Sequence, residues 1–202
     1  MPVTEGNRLS AGTAALAASG DVSVARAIVA EADVDTTAER HRRQILDFVD
    51  VHPDALHRSC RTGHLTGSAL IVDSTGQRIV LLFHRKLRRW LQPGGHSDGD
   101  ANLAAVALRE ATEETGLTGL TVAPTAVDLD VHEVDPPADG PHLHLDVRFL
   151  VVAPDDTDPP GNHESTDIRW VSLDDLDDYG LDAGAHRLVR HGLAAFRGAR
   201  VR

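Results

Sequence analysis

The sequence predicts an α/β fold in which helices pack against a mixed sheet, and three observations carry that prediction. Two β-rich runs, at 65–73 and 78–84, flank the turn Ser74-Thr75-Gly76. An Ala- and Leu-rich segment at 101–115, free of internal Gly and Pro, follows a glycine loop and stops at Gly116. Alternating apolar runs and a closing helical pattern come after it, so strands and helices interleave along the chain.

Taken in order, residues 1–21 are small and polar, with Ala14-Ala15-Leu16-Ala17-Ala18 as their apolar cluster, and read as a frayed start or a short helix. Thr36–Val51 places Ile45, Phe48 and Val49 at helical spacing among charged residues, and Pro53 closes it. The runs at 65–73 and 78–84 form a hairpin. The Gly- and Pro-punctuated stretch 91–100 reads as loop, with Asp100 as a cap for the helix at 101–115. Strands follow at 120–133, with breaks, and at His142–Val152. A short strand at 167–171, a helical turn at 172–178 and a helix at Ala183–Phe196 complete the pattern, and no repeat is visible.

A chain of 202 residues corresponds to one domain, or to one domain with an appendage. Its 31 acidic residues against 20 Lys and Arg leave a formal charge of −11, a poor field for attracting nucleic acid or an anionic membrane. No nucleic-acid or membrane partner is expected. The single cysteine, Cys60, cannot form an internal disulfide. No apolar run is long enough to span a bilayer and the first residues lack the order of a signal peptide, so the expected location is the cytoplasm.

The helix at 101–115 carries the chemistry. At about 100° per residue, Glu110, Glu113 and Glu114 share one arc, while Ala104, Leu108 and Ala111 gather elsewhere. Three like charges near a helix C-terminus repel one another and oppose the macrodipole. The residues alone leave two readings, a solvated acidic face or a cation site; hard oxygen ligands in this number suit Mg²⁺ or Mn²⁺.

From Gly95 the chain runs Gly-His-Ser-Asp-Gly-Asp-Ala-Asn-Leu-Ala-Ala-Val-Ala-Leu and then Arg109-Glu110-Ala111-Thr112-Glu113-Glu114-Thr115-Gly116-Leu117. This resembles the signature of the Nudix hydrolase family, G-x5-E-x7-R-E-U-x-E-E-x-G-U, where U is bulky and apolar. Ala111 is small for U, and the early glutamate falls on Ala101, with Asp100 one place before it as cap or substitute acid. The resemblance implies an α/β/α sandwich with a mixed central sheet over 58–202, preceded by a partly helical extension, 1–57, that packs on the domain or shapes its specificity. It further implies an enzyme acting on phosphoric anhydrides: a metal-dependent pyrophosphohydrolase that cleaves a P–O–P bond in a nucleoside diphosphate linked to another moiety. Mg²⁺ or Mn²⁺ would be the cofactor and a small nucleotide-type molecule the substrate, and a homodimer would be unsurprising.

Residue by residue, Glu110, Glu113 and Glu114 match the family's metal-binding glutamates. Gly95 matches the glycine that offers a carbonyl to metal, and Arg109 the arginine that orients the glutamates. Glu110 is a candidate base. So is Glu164, in the segment Asn162 to Trp170 that resembles a family loop carrying a further acid before a tryptophan. The alternative is a Nudix-like nucleotide-binding or regulatory domain without hydrolysis, which the substitution at Ala101 keeps open; an isomerase on the same fold is a third, since fold does not settle chemistry.

Two further clusters stand out. His142, His144, Asp146 and Arg148 alternate with Leu143, Leu145, Val147 and Phe149, so one strand face is polar. That face is either exposed to water or faces substrate, with His144 as a candidate contact; the same-face spacing is long for one tetrahedral zinc unless His163 or another segment contributes. His84-Arg85-Lys86-Leu87-Arg88-Arg89-Trp90 is the strongest basic cluster. Arg85 and Lys86 there, and His96 in the glycine loop, are candidates for holding substrate phosphate, against the plainer reading of a charged hairpin edge.

Overall fold

The computed structural model describes residues 5–155, 157–159 and 165–198. The described residues form a nine-stranded mixed sheet flanked by four α-helices. The strands are β1 (Leu9–Ser10), β2 (Gly63–Val72), β3 (Arg78–His84), β4 (Arg89–Leu91), β5 (Gly94–His96), β6 (Thr121–Val122), β7 (Asp128–Val134), β8 (His142–Val152) and β9 (Ser165–Ser172). The helices are α1 (Val22–Glu31), α2 (Thr36–Val51), α3 (Leu103–Thr115) and α4 (Ala183–Phe196). A 3-10 turn, Leu173–Tyr179, leads toward α4.

β2 is the hub. It pairs in parallel with β8 over its whole length, antiparallel with β5 through Thr66, Gly67 and Ser68, and antiparallel with β3 through Val72. Period-2 alternation sorts its side chains into two layers. Leu65, Ala69 and Ile71, with Leu145, Val147, Phe149 and Val151 of β8, join one core with Val29, Ile45 and the apolar side of α3. Leu70 and Val72, with Leu150 and Val152, join a second core with Leu188, Val189 and Leu193 of α4. The result is the expected α/β/α sandwich. Both helix contacts pass over a glycine: a Cβ at Gly67 would lie 3.0 Å from the Leu103 carbonyl oxygen, and one at Gly192 would lie 2.3 Å from Leu70 Cδ2.

The N-terminal residues are woven into this sandwich. β1 pairs with β6, and α1 and α2 contribute Ala25, Val29, Ala38, Ile45 and Val49 to the core shared with α3. Asp21 and Asp35 cap α1 and α2 by accepting hydrogen bonds from amides of the first turn.

Three expectations need correction. The stretch 91–100 is not all loop: β4 ends at Leu91, and Gly94–His96 forms β5, because glycine removes no amide from a ladder and three residues suffice to pair with β2. α3 starts at Leu103, capped by Asn102 through the Ala105 amide, and not after Asp100. The polar face of β8 is largely buried, not bathed in water: Asp146 and Arg148 are 2% and 4% exposed.

Candidate functional site

α3 lies against β5 so that the box glutamates meet the glycine strand. Gly116 ends the helix in the left-handed conformation, φ 72°, that releases the chain after Thr115. The Gly94 amide donates to Glu114 Oε2 at 2.9 Å. Gly95 sits directly below Glu110: a Cβ there would lie 2.4 Å from Glu110 Oε2, so only glycine permits the approach. Arg109 Nη2 donates to Glu110 Oε1 at 3.1 Å and to the His96 carbonyl at 3.3 Å, which ties the helix to β5 and fixes the Glu110 carboxylate. Burial raises the Glu110 pKa, opposed by the hydrogen bond and charge of Arg109 and reinforced by the negative charge of Glu113.

This donor set fits a hard divalent cation. It offers carboxylate oxygens from Glu110, Glu113 and Glu114 on one helical arc, with a glycine cradle that no side chain fills. Glu110 and Glu114 are aimed at different partners, however. Among the described residues, the sets of three ligand atoms that converge within 4.8 Å of one another contain none of the three glutamates.

The loop from β5 to α3 and the segment between α2 and β2 each add one residue that sequence reasoning passed over. Asp98 adopts φ 48°, an unusual conformation for a non-glycine residue, and Arg58 donates to both of its carboxylate oxygens at 2.7 Å. That hydrogen bonding raises the Arg58 pKa, and the charge of Glu110 adds to the effect. The one signal in the sequence was Gly99, which marks a tight turn beside Asp98.

Asp100 and Ala101, the two positions that depart from the signature, have another job. Asp100 Oδ1 accepts from the Ser19 amide at 3.1 Å and from the Asn102 amide at 2.9 Å. The Ala101 amide donates to the Ser19 carbonyl at 2.6 Å, and Asn102 Nδ2 donates to the carbonyls of Ala15 and Ala17. Ala101 itself is fully buried. The N-terminal segment is thus hydrogen-bonded to the chain at the position where the signature has its early glutamate. Beyond it, Ala11, Gly12 and Leu16 face Ala105, Leu108, Arg109, Thr112 and Glu113 across an open cleft of about 330 Å³.

The remaining candidates fall elsewhere. Arg85 and Lys86 sit in the exposed turn between β3 and β4. Glu164 and His163 lie outside the described residues. His96 follows Gly95 on β5, so its ring points to the opposite side of the strand from Glu110 and meets His64 and His144, with ring centroids 4.8 and 5.1 Å away.

On that side the register assembles rows of polar residues. His132 of β7 stands opposite His144 of β8, which stands opposite His64 of β2; Asp130, Asp146 and Thr66 form the next row, and Asp128, Arg148 and Ser68 the third. The lower rows are an ion network. Arg148 pairs with Asp146, Asp128 and Asp130, and Arg187 of α4 pairs with Asp128 and Asp130. Burial alone would raise Asp128, but hydrogen bonds from His191 and Arg187 and the charge of Arg148 outweigh it and hold the carboxyl low. The upper row holds histidines. Burial, then the charges of neighbouring histidines, pushes His144 down to about 3; burial and then the charge of Arg58 push His96 down to about 4.

The model of the NUDIX domain matches residues 63–192. A Mycobacterium tuberculosis protein provisionally named 8-oxo-dGTP diphosphatase 3, found in strains CDC 1551 and H37Rv, is 33% identical over 117 residues, 54% of this chain and 51% of that protein. The chain therefore spans about half the length of the curated relatives it matches. The crystal structure of a C. elegans Ap4A hydrolase binary complex superposes with a TM-score of 0.53 at 22% identity, over 66% of this chain and 98% of the other, a likeness of fold.

Proposed function

The chain belongs to the Nudix family, and from that premise we propose that it is a divalent-metal-dependent pyrophosphohydrolase acting on a nucleoside diphosphate linked to a further group. The observation that carries the reading is the seating of Glu110 on Gly95, with Glu114 held by the Gly94 amide. A helix face of three carboxylates is locally unfavourable, and its alignment over a glycine strand is what a hard cation and a phosphate would require.

In this reading Glu110, Glu113, Glu114 and the Gly95 carbonyl hold Mg²⁺ or Mn²⁺. A bound divalent ion neutralises charge developing on phosphate oxygens and lowers the pKa of water. The chain's own residues do the rest. Glu110, its carboxyl raised by burial, accepts the proton of the attacking water, as a base whose pKa approaches the working pH does best. Arg109 keeps that carboxylate in place through its bond to the His96 carbonyl. Water adds to one phosphorus, the P–O bond to the bridging oxygen breaks, and two phosphate-bearing fragments leave. Glu164 is retained as a second candidate base and Arg85 and Lys86 as candidate substrate contacts, whereas His144, expected as a contact, stands with His96 and His64 on the side of the sheet away from Glu110.

The cleft between 11–16 and α3 is the proposed seat of the group beyond the diphosphate, because Arg109 and Glu113 form one wall and the N-terminal segment the other. A panel of nucleotides assayed with Mg²⁺ tests the reading. The panel is headed by 8-oxo-dGTP and Ap4A, for which a relative and a protein of similar fold are named, and includes nucleotide sugars. Turnover to two phosphate-bearing products, abolished by Glu113→Gln or Glu114→Gln in a folded protein, is expected. Tight binding of one compound without turnover would replace hydrolysis with recognition.

A further inference from the structure

The top row of the buried polar face contains chemistry that hydrolysis does not use. His64, His142 and His144 each offer one ligand atom, and these atoms all lie within 4.8 Å of one another. Ring centroids are 4.8 Å apart for His64 and His142, 5.1 Å for His64 and His144, and 5.3 Å for His142 and His144. The parallel register of β2 and β8 creates the group by setting His64 beside His144 on one face, while His142 comes from the same face of β8 two residues earlier.

His64 is the anomaly that points to a ligand. It is 4% exposed, lies at the centre of the group, and neither Nδ1 nor Nε2 has a hydrogen-bond partner. A neutral imidazole carries one donor and one acceptor, and leaving such groups buried and unpaired costs about 1–3 kcal/mol each. His142 shows the complementary feature. Its Nδ1 lies 2.8 Å from the Gly140 carbonyl oxygen, which can only accept, so Nδ1 donates and the lone pair of the neutral ring is on Nε2. Metal-bound imidazoles are oriented in this way by a second hydrogen bond.

We propose that His64, His142 and His144 bind one borderline transition-metal cation of the zinc class, at a site chemically distinct from the carboxylates of α3. Imidazole nitrogen selects zinc, cobalt, nickel or copper over magnesium. Bonds of about 2.0–2.1 Å in a tetrahedron bring nitrogens to roughly 3.4 Å, a closure that ring rotation within the observed group supplies. Three protein ligands leave a fourth position open, and the His96 ring borders the group at 4.8 Å from His64. The sheet separates the two donor sets by type: Gly95 faces oxygen ligands on one side of β5, and His96 faces nitrogen ligands on the other.

The proposal is independent of the hydrolase reading, and its test needs no substrate. The full chain, stripped with a chelator, is titrated calorimetrically with Zn²⁺ in the presence of excess Mg²⁺, and with Co²⁺ while visible absorption is followed. One Zn²⁺ per chain, undisplaced by Mg²⁺, with the intense absorption of four-coordinate Co²⁺, is expected. His144→Ala, at a half-buried position, and His64→Gln should each weaken uptake at least about tenfold, and Glu113→Gln should leave it unchanged. Circular dichroism confirms that each variant is folded; His144→Ala decides the matter if His64→Gln is not. Absence of uptake, uptake indifferent to His144→Ala, or uptake lost with Glu113→Gln would overturn the proposal.

Discussion

The two sides of β5 differ in how they are made. On the side of α3, Gly94 and Gly95 meet Glu114 and Glu110, all drawn from one continuous stretch of chain. On the other side, His96 meets His64 and His144, which come from separate strands and are brought together only by register. The first group is hydrogen-bonded and oxygen-rich; the second contains a buried ring with no partner. A site encoded locally can be read as a motif, whereas one encoded by strand pairing appears only when the sheet is assembled.

The largest expected effect lies on the helix side. Glu113→Gln and Glu114→Gln should each lower kcat/KM by on the order of 10³-fold, about 4 kcal/mol of transition-state stabilisation, with the thermal midpoint unchanged. Equal activity in these variants would break the assignment of the carboxylates to catalysis. Next comes the ion network beneath the histidines. Asp128→Ala leaves Arg148 and Arg187 short of a buried partner and should cost about 3 kcal/mol in urea unfolding, while leaving the arrangement of α3 intact.

Gly95→Ala sharpens the contrast further. The new methyl would collide with the Glu110 carboxylate, so activity should fall roughly 10- to 100-fold while Zn²⁺ uptake on the opposite side is retained. Acid titration separates the histidine row from the ion network beneath it. His64, His96 and His144 have lowered pKa values, so the unfolded chain binds more protons, and their contribution to stability is complete above about pH 6.5 and declines as pH falls toward the folded values of about 3 to 4 for His144 and His96. The depressed carboxyls of Asp128 and Asp130 lose their contribution only below about pH 3.9. Urea midpoints measured from pH 7 to 4 should therefore fall in the wild type, against the opposing gain from His132, whose pKa is raised by its hydrogen bond to Asp130, and should fall less steeply in His144→Leu. The smallest effect is expected from Asn102→Ala, about 1 kcal/mol for the lost helix cap.

How far the sequence could be read follows the same division. Thr36–Val51, Arg78–His84, His142–Val152 and Ala183–Phe196 stand where their periodicity placed them, because each buries one regular face against the sheet or its neighbours. α1 went unread: Val22–Glu31 is short and its apolar positions carry little contrast with their neighbours. β5 was hidden because two of its three residues are glycines, which usually signal a turn. The alternation of His142 to Arg148 was legible, but its burial was not, since Arg187 and His191 that cover the network lie far along the chain on α4. Helical spacing grouped the glutamates and the resemblance to the family signature singled out Gly95; Arg58 and His64 depended on contacts that only the fold creates.

The stitching of Ser19 to Asp100 and Ala101, and of Asn102 to Ala15 and Ala17, gives the opening of the polypeptide an unusual responsibility. Those early residues brace the very root of the acidic helix from outside. Trimming them would be less like cutting a loose thread than like pulling a wedge from under a beam: the backbone amide of Ala101 would lose its acceptor, and one wall of the neighbouring hollow would go with it.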